Sequence, residues 1–342
     1  MINLRPMKRS DLPKVRNLYR NIYGNNRQEE NDTWRFLSSE SGITPTTIAE
    51  ERGEMVGAYP AWLIRMNLGG EVVQGAQAMD IMVDPGHQGK GIFTLMGEEA
   101  FEELAKKYDA KMLYGIPNKE SYVGHMRKMS WHHVTDVPRY IRPILPLSLV
   151  PYIPGFLKKP IHFFLEVLFK PRAPLFGVEI LERIPSEKDM RQIIEEAAAY
   201  PKYACRLHRD ARWFKWRYDA KSDLGYRWLV AKQGKETVGF CVYRNENMEG
   251  GAKITRIAEL WGNKTATGAL LKQVIRLSYK NKSALIMILT NMPFLRLPLL
   301  CHLFLGLQKK PLIVRALTPK SLAANIHNPE NWYIMSGDFD AM

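Results

Sequence analysis

One spacing occurs twice in this chain of 342 residues, and it constrains the fold more than any other feature. Trp34-Arg35-Phe36 is followed by Gly53-Glu54-Met55-Val56-Gly57, and Trp216-Arg217-Tyr218 by Gly234-Lys235-Glu236-Thr237-Val238-Gly239. Trp34 and Gly57 are 23 residues apart, and so are Trp216 and Gly239. Two matches at one spacing predict a duplicated structural unit. The length is sufficient for two domains, and a composition of 46% hydrophobic and 25% charged residues lets each bury a core.

The first copy reads as a mixed α/β layer structure. Ile2 to Arg5 has the pattern of a short strand, and Leu12 to Tyr23 repeats apolar residues at helical spacing behind Ser10 and Asp11. A second helix is predicted over Glu29 to Leu37, then a hairpin of Thr47–Glu50 and Met55–Met66 around Arg52-Gly53-Glu54. Gly69-Gly70 turns the chain into a strand over Gln74 to Val83, closed by Asp84-Pro85-Gly86. A helix over Ile92 to Tyr108 and a strand over Lys111 to Ile116 follow. In the second copy, strands are expected over Ile254–Leu260 and Ala284–Leu289, joined by a helix over Thr265–Tyr279, with Trp213 and Trp216 as core anchors. The domain division that follows is 1–137, a Pro-rich apolar connector over 138–174, and 175–342.

The net charge of +14 favours anionic partners, but the cations are scattered rather than massed in the footprint of a nucleic-acid binder. Cys205, Cys241 and Cys301 make no CxxC pair, and the start carries no apolar signal segment, so a cytoplasmic protein is expected. No apolar run is long enough to span a membrane. Ile141–Phe169 and Leu297–Leu307 read as a connector and a core helix, and beside their basic neighbours they also suit peripheral contact with the inner membrane face. His132-His133 are adjacent and no HExxH motif is present, so no metal site is expected; a GxSxG nucleophile motif is also absent.

The chemistry concentrates between Asp80 and Met96. A strand runs into a turn, and Gly89 and Gly91 open a helix behind Gln88 and Lys90. Such a helix start aims several N–H groups and the positive end of the helix dipole at one point, which suits a pyrophosphate. The pattern is neither GxGxxG nor a P-loop.

The run Val83-Asp84-Pro85, then Gln88-Gly89-Lys90-Gly91-Ile92-Phe93, resembles the acyl-CoA motif of GNAT-family N-acyltransferases, Q/R-x-x-G-x-G/A behind a strand ending in V-x-P. Phe93 departs from the usual Gly or Ala and is expected to narrow the space near the phosphates. The fold this implies is α/β, with two tandem GNAT-like domains, each a mixed, mostly antiparallel sheet flanked by helices. The resemblance further implies that acetyl-CoA, or another acyl-CoA, is the co-substrate. Two strands splay apart to admit it, with backbone of Met82 and Val83 against the pantetheine amides and Asn118 and Ser121 beside the pantetheine arm. Met129-Ser130-Trp131 matches the ending of the family's short helix.

Direct attack of a deprotonated primary amine on the thioester carbonyl is the implied reaction. Asp80, two residues before Met82 and so on its side of an unbroken strand, is the expected base. No Tyr stands where many members carry the thiolate acid, and Tyr122 and His125 are the alternatives.

The second half has no counterpart of the CoA loop: Ile254–Leu260 leads into Trp261-Gly262-Asn263-Lys264 without paired glycines. It is expected to shape an acceptor cleft, with Glu259 pointing into it. The pattern of Trp216-Arg217-Tyr218, then Gly234-x-x-x-Val238-Gly239, then a terminal Trp332 and Asp338-Phe339-Asp340 resembles tandem GNAT-like proteins associated with bacterial surface-polysaccharide synthesis, which implies an amino-sugar acceptor on a nucleotide- or lipid-linked precursor. Two other readings stay open: a CoA-binding regulatory protein without catalysis, and an aminoacyl transferase of the two-lobed peptidoglycan type.

Overall fold

In the computed structural model the described residues are 1–24, 27–38, 42–144, 177–198, 205–218, 224–248 and 251–339. The first unit runs β1 (Asn3–Pro6), α1 (Leu12–Tyr23), α2 (Glu29–Leu37), β2 (Thr46–Glu51), β3 (Glu54–Leu68), β4 (Glu71–Ala78), β5 (Met82–Val83), α3 (Ile92–Tyr108), β6 (Met112–Gly115), α4 (Lys119–Lys128) and β7 (His132–Pro143). The second repeats that order: β8 (Glu179–Leu181), α5 (Glu187–Ala198), a short extra strand β9 (Cys205–Leu207), α6 (Ala211–Tyr218), β10 (Arg227–Gln233), β11 (Glu236–Asn247), β12 (Lys253–Gly262), α7 (Lys264–Lys280), β13 (Leu285–Leu289), α8 (Pro293–Cys301) and β14 (Leu305–Ala316). The helices expected over Leu12–Tyr23, Glu29–Leu37 and Ile92–Tyr108 form over those residues.

All described strands join one mixed sheet, in the order β1-β2-β3-β4-β6-β14-β7-β13-β12-β11-β10-β8, with β5 and β9 pairing onto β3 off this path. Pairing is antiparallel except for β4 with β6 and β12 with β13. Those two pairs are bridged by α3 and α7, because a parallel pair needs a crossover helix.

The two units exchange their last strands. β7 follows α4 in the first unit but lies beside β13 of the second, with Leu289 opposite Arg139. β14 follows α8 in the second unit and lies beside β6 of the first, with Ile313 opposite Gly115. β7 and β14 then pair with each other along Leu305–Val314, fusing the halves at the centre. The connector expected from residue 138 is therefore corrected in part: residues 138–143 complete β7, and 145–174 lie outside the described residues.

The repeated tryptophans meet. Trp34 stacks on Trp216 with centroids 5.5 Å apart and planes at 23°, and Trp62 packs edge-on to both. Trp34 Nε1 donates to the Trp216 carbonyl at 3.0 Å. Burying these rings, worth about 1.5–3 kcal/mol for a large apolar side chain, ties the units across the repeat. Trp213 is buried as expected. Leu297–Leu307 is not one core helix: α8 ends at Cys301, β14 begins at Leu305, and Leu297, Leu300, Leu303, Leu305 and Leu307 are exposed.

Candidate acyl-CoA site at the splay beside β5

The strand expected over Gln74–Val83 is interrupted. β4 ends at Ala78, Asp80 takes the left-handed φ of 43°, and β5 resumes at Met82. β4 pairs with β6 through Gln77 and Tyr114, whereas Met82 and Val83 pair only with Ala58 and Gly57 of β3. The other edge of β5 has therefore parted from β6, leaving backbone groups without a strand partner along a notch.

The turn at the end of the notch is fixed by side chains. Asp84 Oδ1 accepts from Gly86 N at 3.0 Å, and His87 bridges Asp84 at 3.0 Å and Glu51 at 3.1 Å. The hydrogen bond and charge of His87 hold both carboxylates below their ordinary pKa. Gly89 and Gly91 have φ of 78° and 80°, a conformation that favours glycine. The N–H groups of residues 89–93 make no hydrogen bond among the described residues; the first bonds of α3 come from Thr94 and Leu95 to the Gly91 carbonyl. Unpaired amides and a helix dipole thus converge on one point.

A pocket of about 340 Å³ covers that point. Of the residues expected to bind the co-substrate, Met82, Val83, Gln88, Gly89, Gly91, Ile92, Phe93, Asn118 and Ser121 line it. Lys90 is exposed and does not, while Lys128 of α4 lines it without having been foreseen. Asn118 caps α4, its Oδ1 accepting from Ser121 N at 2.8 Å.

Phe93 does not crowd the amides from the front. Its ring lies under α4, edge-on to His125 at 5.0 Å, and a Cβ built on Gly124 would come within 2.8 Å of it. Ring and glycine are complementary, a pairing visible only once α3 and α4 are packed.

The three expected catalytic groups are placed otherwise than the sequence suggested. Asp80 lines no described pocket; its Oδ2 lies 2.7 Å from Arg27 Nη1 and 3.2 Å from Arg35 Nη1. The alternation that set it beside Met82 fails because the strand breaks at this residue. His125 is buried, its Nδ1–H donating to the Ser121 carbonyl at 2.7 Å and its Nε2 accepting from the Tyr59 hydroxyl at 3.1 Å. Burial pulls its pKa down to about 4, so at neutral pH it is the neutral imidazole, with its one N–H engaged by the Ser121 carbonyl. The Tyr122 hydroxyl lies 3.2 Å from His133 Nδ1, and Tyr122 is not among the pocket residues.

In the second unit the corresponding helix start is closed. Asn263 caps α7 through Ala266 N, and where β12 parts from β13 beyond Arg256 the gap is taken by Ser336, bonded to Leu289 N, and Gly337, packed on Ala258 and Glu259. Glu259 does not face a cleft: it is fully buried between Arg209, the Tyr218 hydroxyl and Trp261 Nε1.

Residues 3–134 match the family model described as "Acetyltransferase (GNAT) domain". That match lies within the first unit. The splayed edge and the unpaired amides lie inside it. No curated protein matches the sequence. Among solved structures, a GCN5-related N-acetyltransferase from Anabaena variabilis is similar over 95% of this chain and 75% of its own, at 10% identity and a TM-score of 0.63. One from Kribbella flavida covers 95% and 73%, at 14% identity and 0.60. N-myristoyltransferase from Saccharomyces cerevisiae, solved with myristoyl-CoA and inhibitors, covers 92% and 80%, at 14% identity and 0.63. At these identities the likeness is one of fold, and it extends across both units.

Proposed function

We propose that the chain is an acyl-CoA-dependent N-acyltransferase that moves an acetyl or other short acyl group to a primary amine. The observation that carries this is the run of unpaired N–H groups at 89–93 beside the free edge of β5, within the residues that match a GNAT acetyltransferase model. The amides of Gly89 to Phe93 hold the diphosphate of CoA, and the backbone of Met82 and Val83 pairs with the pantetheine amides in the notch. The amine nitrogen attacks the thioester carbonyl, the C–S bond breaks, and CoA leaves as the thiol.

The second unit does not bind CoA and forms the acceptor side. A second cleft of about 170 Å³ supports this division: it shares Asn118 with the CoA pocket, and Arg256, Met287 and Phe339 of the second unit line it. An amino sugar on a surface-polysaccharide precursor is the acceptor class we favour, met by a cytoplasmic protein at the membrane face. The exposed leucines between Leu297 and Leu307 support such contact, and sedimentation with anionic vesicles tests it. Among the described residues no helix is long and apolar enough to cross a membrane.

Titration calorimetry with acetyl-CoA, then mass spectrometry of reactions with amino-sugar nucleotides, tests the reading. One CoA per chain and an amide product support it. Absence of CoA binding overturns it, and binding without transfer to any amine favours the regulatory alternative.

A further inference from the structure

We propose that the cleft at the exchanged strands binds a phosphate group and that this group is the acceptor's anchor. The anion site stands on its own observations; its assignment to an acceptor rests on the acyl-transfer reading.

Three cations from three strands face this cleft: Arg139 of β7, Lys310 of β14 and Arg256 of β12. All three are half-buried. Arg256 is partly neutralised by Glu246, which also binds Arg244. Among the described residues Arg139 reaches only the neutral Gln308 side chain, at 2.8 Å, and neither Arg139 nor Lys310 forms an ion pair. Like charges gathered out of full solvent are unfavourable without a counter-charge. The strain is visible on both groups: burial, then Arg256, lowers the Arg139 pKa, and burial, then Arg139, lowers that of Lys310.

The charge count selects the ligand. Two uncompensated cations match the dianion of a phosphate, while a carboxylate balances only one. Ile116, Met287 and Phe339 give the cleft an apolar wall for the body of a substrate. Asn118 lines both this cleft and the CoA pocket, so a molecule anchored by its phosphate here can extend toward the thioester. The exchange of strands makes the arrangement possible, because it puts β7 and β14 side by side at the mouth.

The test is calorimetry with inorganic phosphate, pyrophosphate and acetate on wild type saturated with CoA and on Gly91→Glu, which closes the CoA loop to anions. One phosphate or pyrophosphate per chain is expected in both, weakened about tenfold by Lys310→Gln and by Arg139→Gln, with acetate binding far more weakly. Lys310→Gln carries the test if Arg139→Gln fails to fold. Absence of anion binding overturns the proposal, as does unchanged affinity in Lys310→Gln or equal binding of acetate. CoA binding to wild type is scored separately. Phosphate binding without CoA binding leaves this site standing and the acyl-transfer reading fallen, and the converse result does the reverse.

Discussion

Arg27 and Asp80 form an ion pair at 2.7 Å that the second unit repeats as Arg209 and Glu259. Trp34 and Trp216 are 182 residues apart, and so are Arg27 and Arg209 and also Arg35 and Arg217. The carboxylates correspond through the sheet: Gly57 pairs with Val83 and Gly239 with Gly262, and three residues before each partner stand Asp80 and Glu259. Both positions are irregular, with the break at Asp80 in one unit and a register shift that leaves Ala258 unpaired in the other. A carboxylate at a strand irregularity, clamped by an arginine from the helical layer, is thus a building element of the repeated unit.

Asp80→Asn is therefore expected to act on stability. Losing charged hydrogen bonds to two guanidinium groups costs about 1.5–3 kcal/mol, read as a lower melting temperature. Acyl transfer by the folded fraction should keep its rate and pH profile. A large fall in rate with loss of the acidic limb of that profile, folding intact, would restore Asp80 as the base.

Removing the second clamp should be more severe. Arg209 is fully buried and pairs with both Glu259 and Asp338. Even with that cation present, burial pushes the Asp338 pKa up to about 7. Arg209→Met leaves two carboxylates in the core without their ion-pair partner, at a cost of about 3–5 kcal/mol. Chemical denaturation should show the loss, and Arg209→Lys should recover only part of it, since Lys cannot form the forked contact.

The local elements were legible because they depend on short-range pattern. Glycines at 89 and 91, a proline at 85 and apolar residues at helical spacing dictate a strand, turn and helix wherever the chain lies. The duplication was legible from the tryptophan–glycine spacing. The exchange of β7 and β14 was not, because each strand satisfies its own alternation beside either neighbour and only the assembled sheet selects one. The partners that hold Asp80 and His125 were not legible, for one shared reason. A polar residue near a motif looks functional until its partners are known, and Arg27, Arg35, Tyr59 and the Ser121 carbonyl are remote in sequence or part of the backbone. The spacing of Arg27 and Arg209 was present to be found, but arginines are too common to mark a repeat alone.

Phe93 and Gly124 should behave as a coupled pair. Gly124→Ala puts a methyl against the Phe93 ring, where it would lie at 2.8 Å, and overpacking of this kind costs about 1–3 kcal/mol. Because Phe93 is the second residue of α3, the displacement should also weaken CoA binding. Adding Phe93→Leu to Gly124→Ala should recover stability that neither change predicts alone. Strict additivity in a double-mutant cycle would rule out the contact.

Protonation of His125 should set the acid limit of the fold. In the native chain its pKa is about 4, lowered first by burial and opposed by the Ser121 carbonyl, against about 6.5 for an exposed imidazole. Between those values the unfolded chain binds a proton that the folded chain does not, so stability falls as pH falls. The contribution is complete above about pH 6.5 and is lost progressively toward pH 4, amounting to roughly 3 kcal/mol. His125→Gln should flatten that part of the stability profile while lowering stability at neutral pH, where the bond from Tyr59 is disturbed. A wild-type profile level from pH 7 to 4.5 would show that the imidazole takes up a proton inside the fold, and with it that a proton donor stands beside the CoA pocket after all.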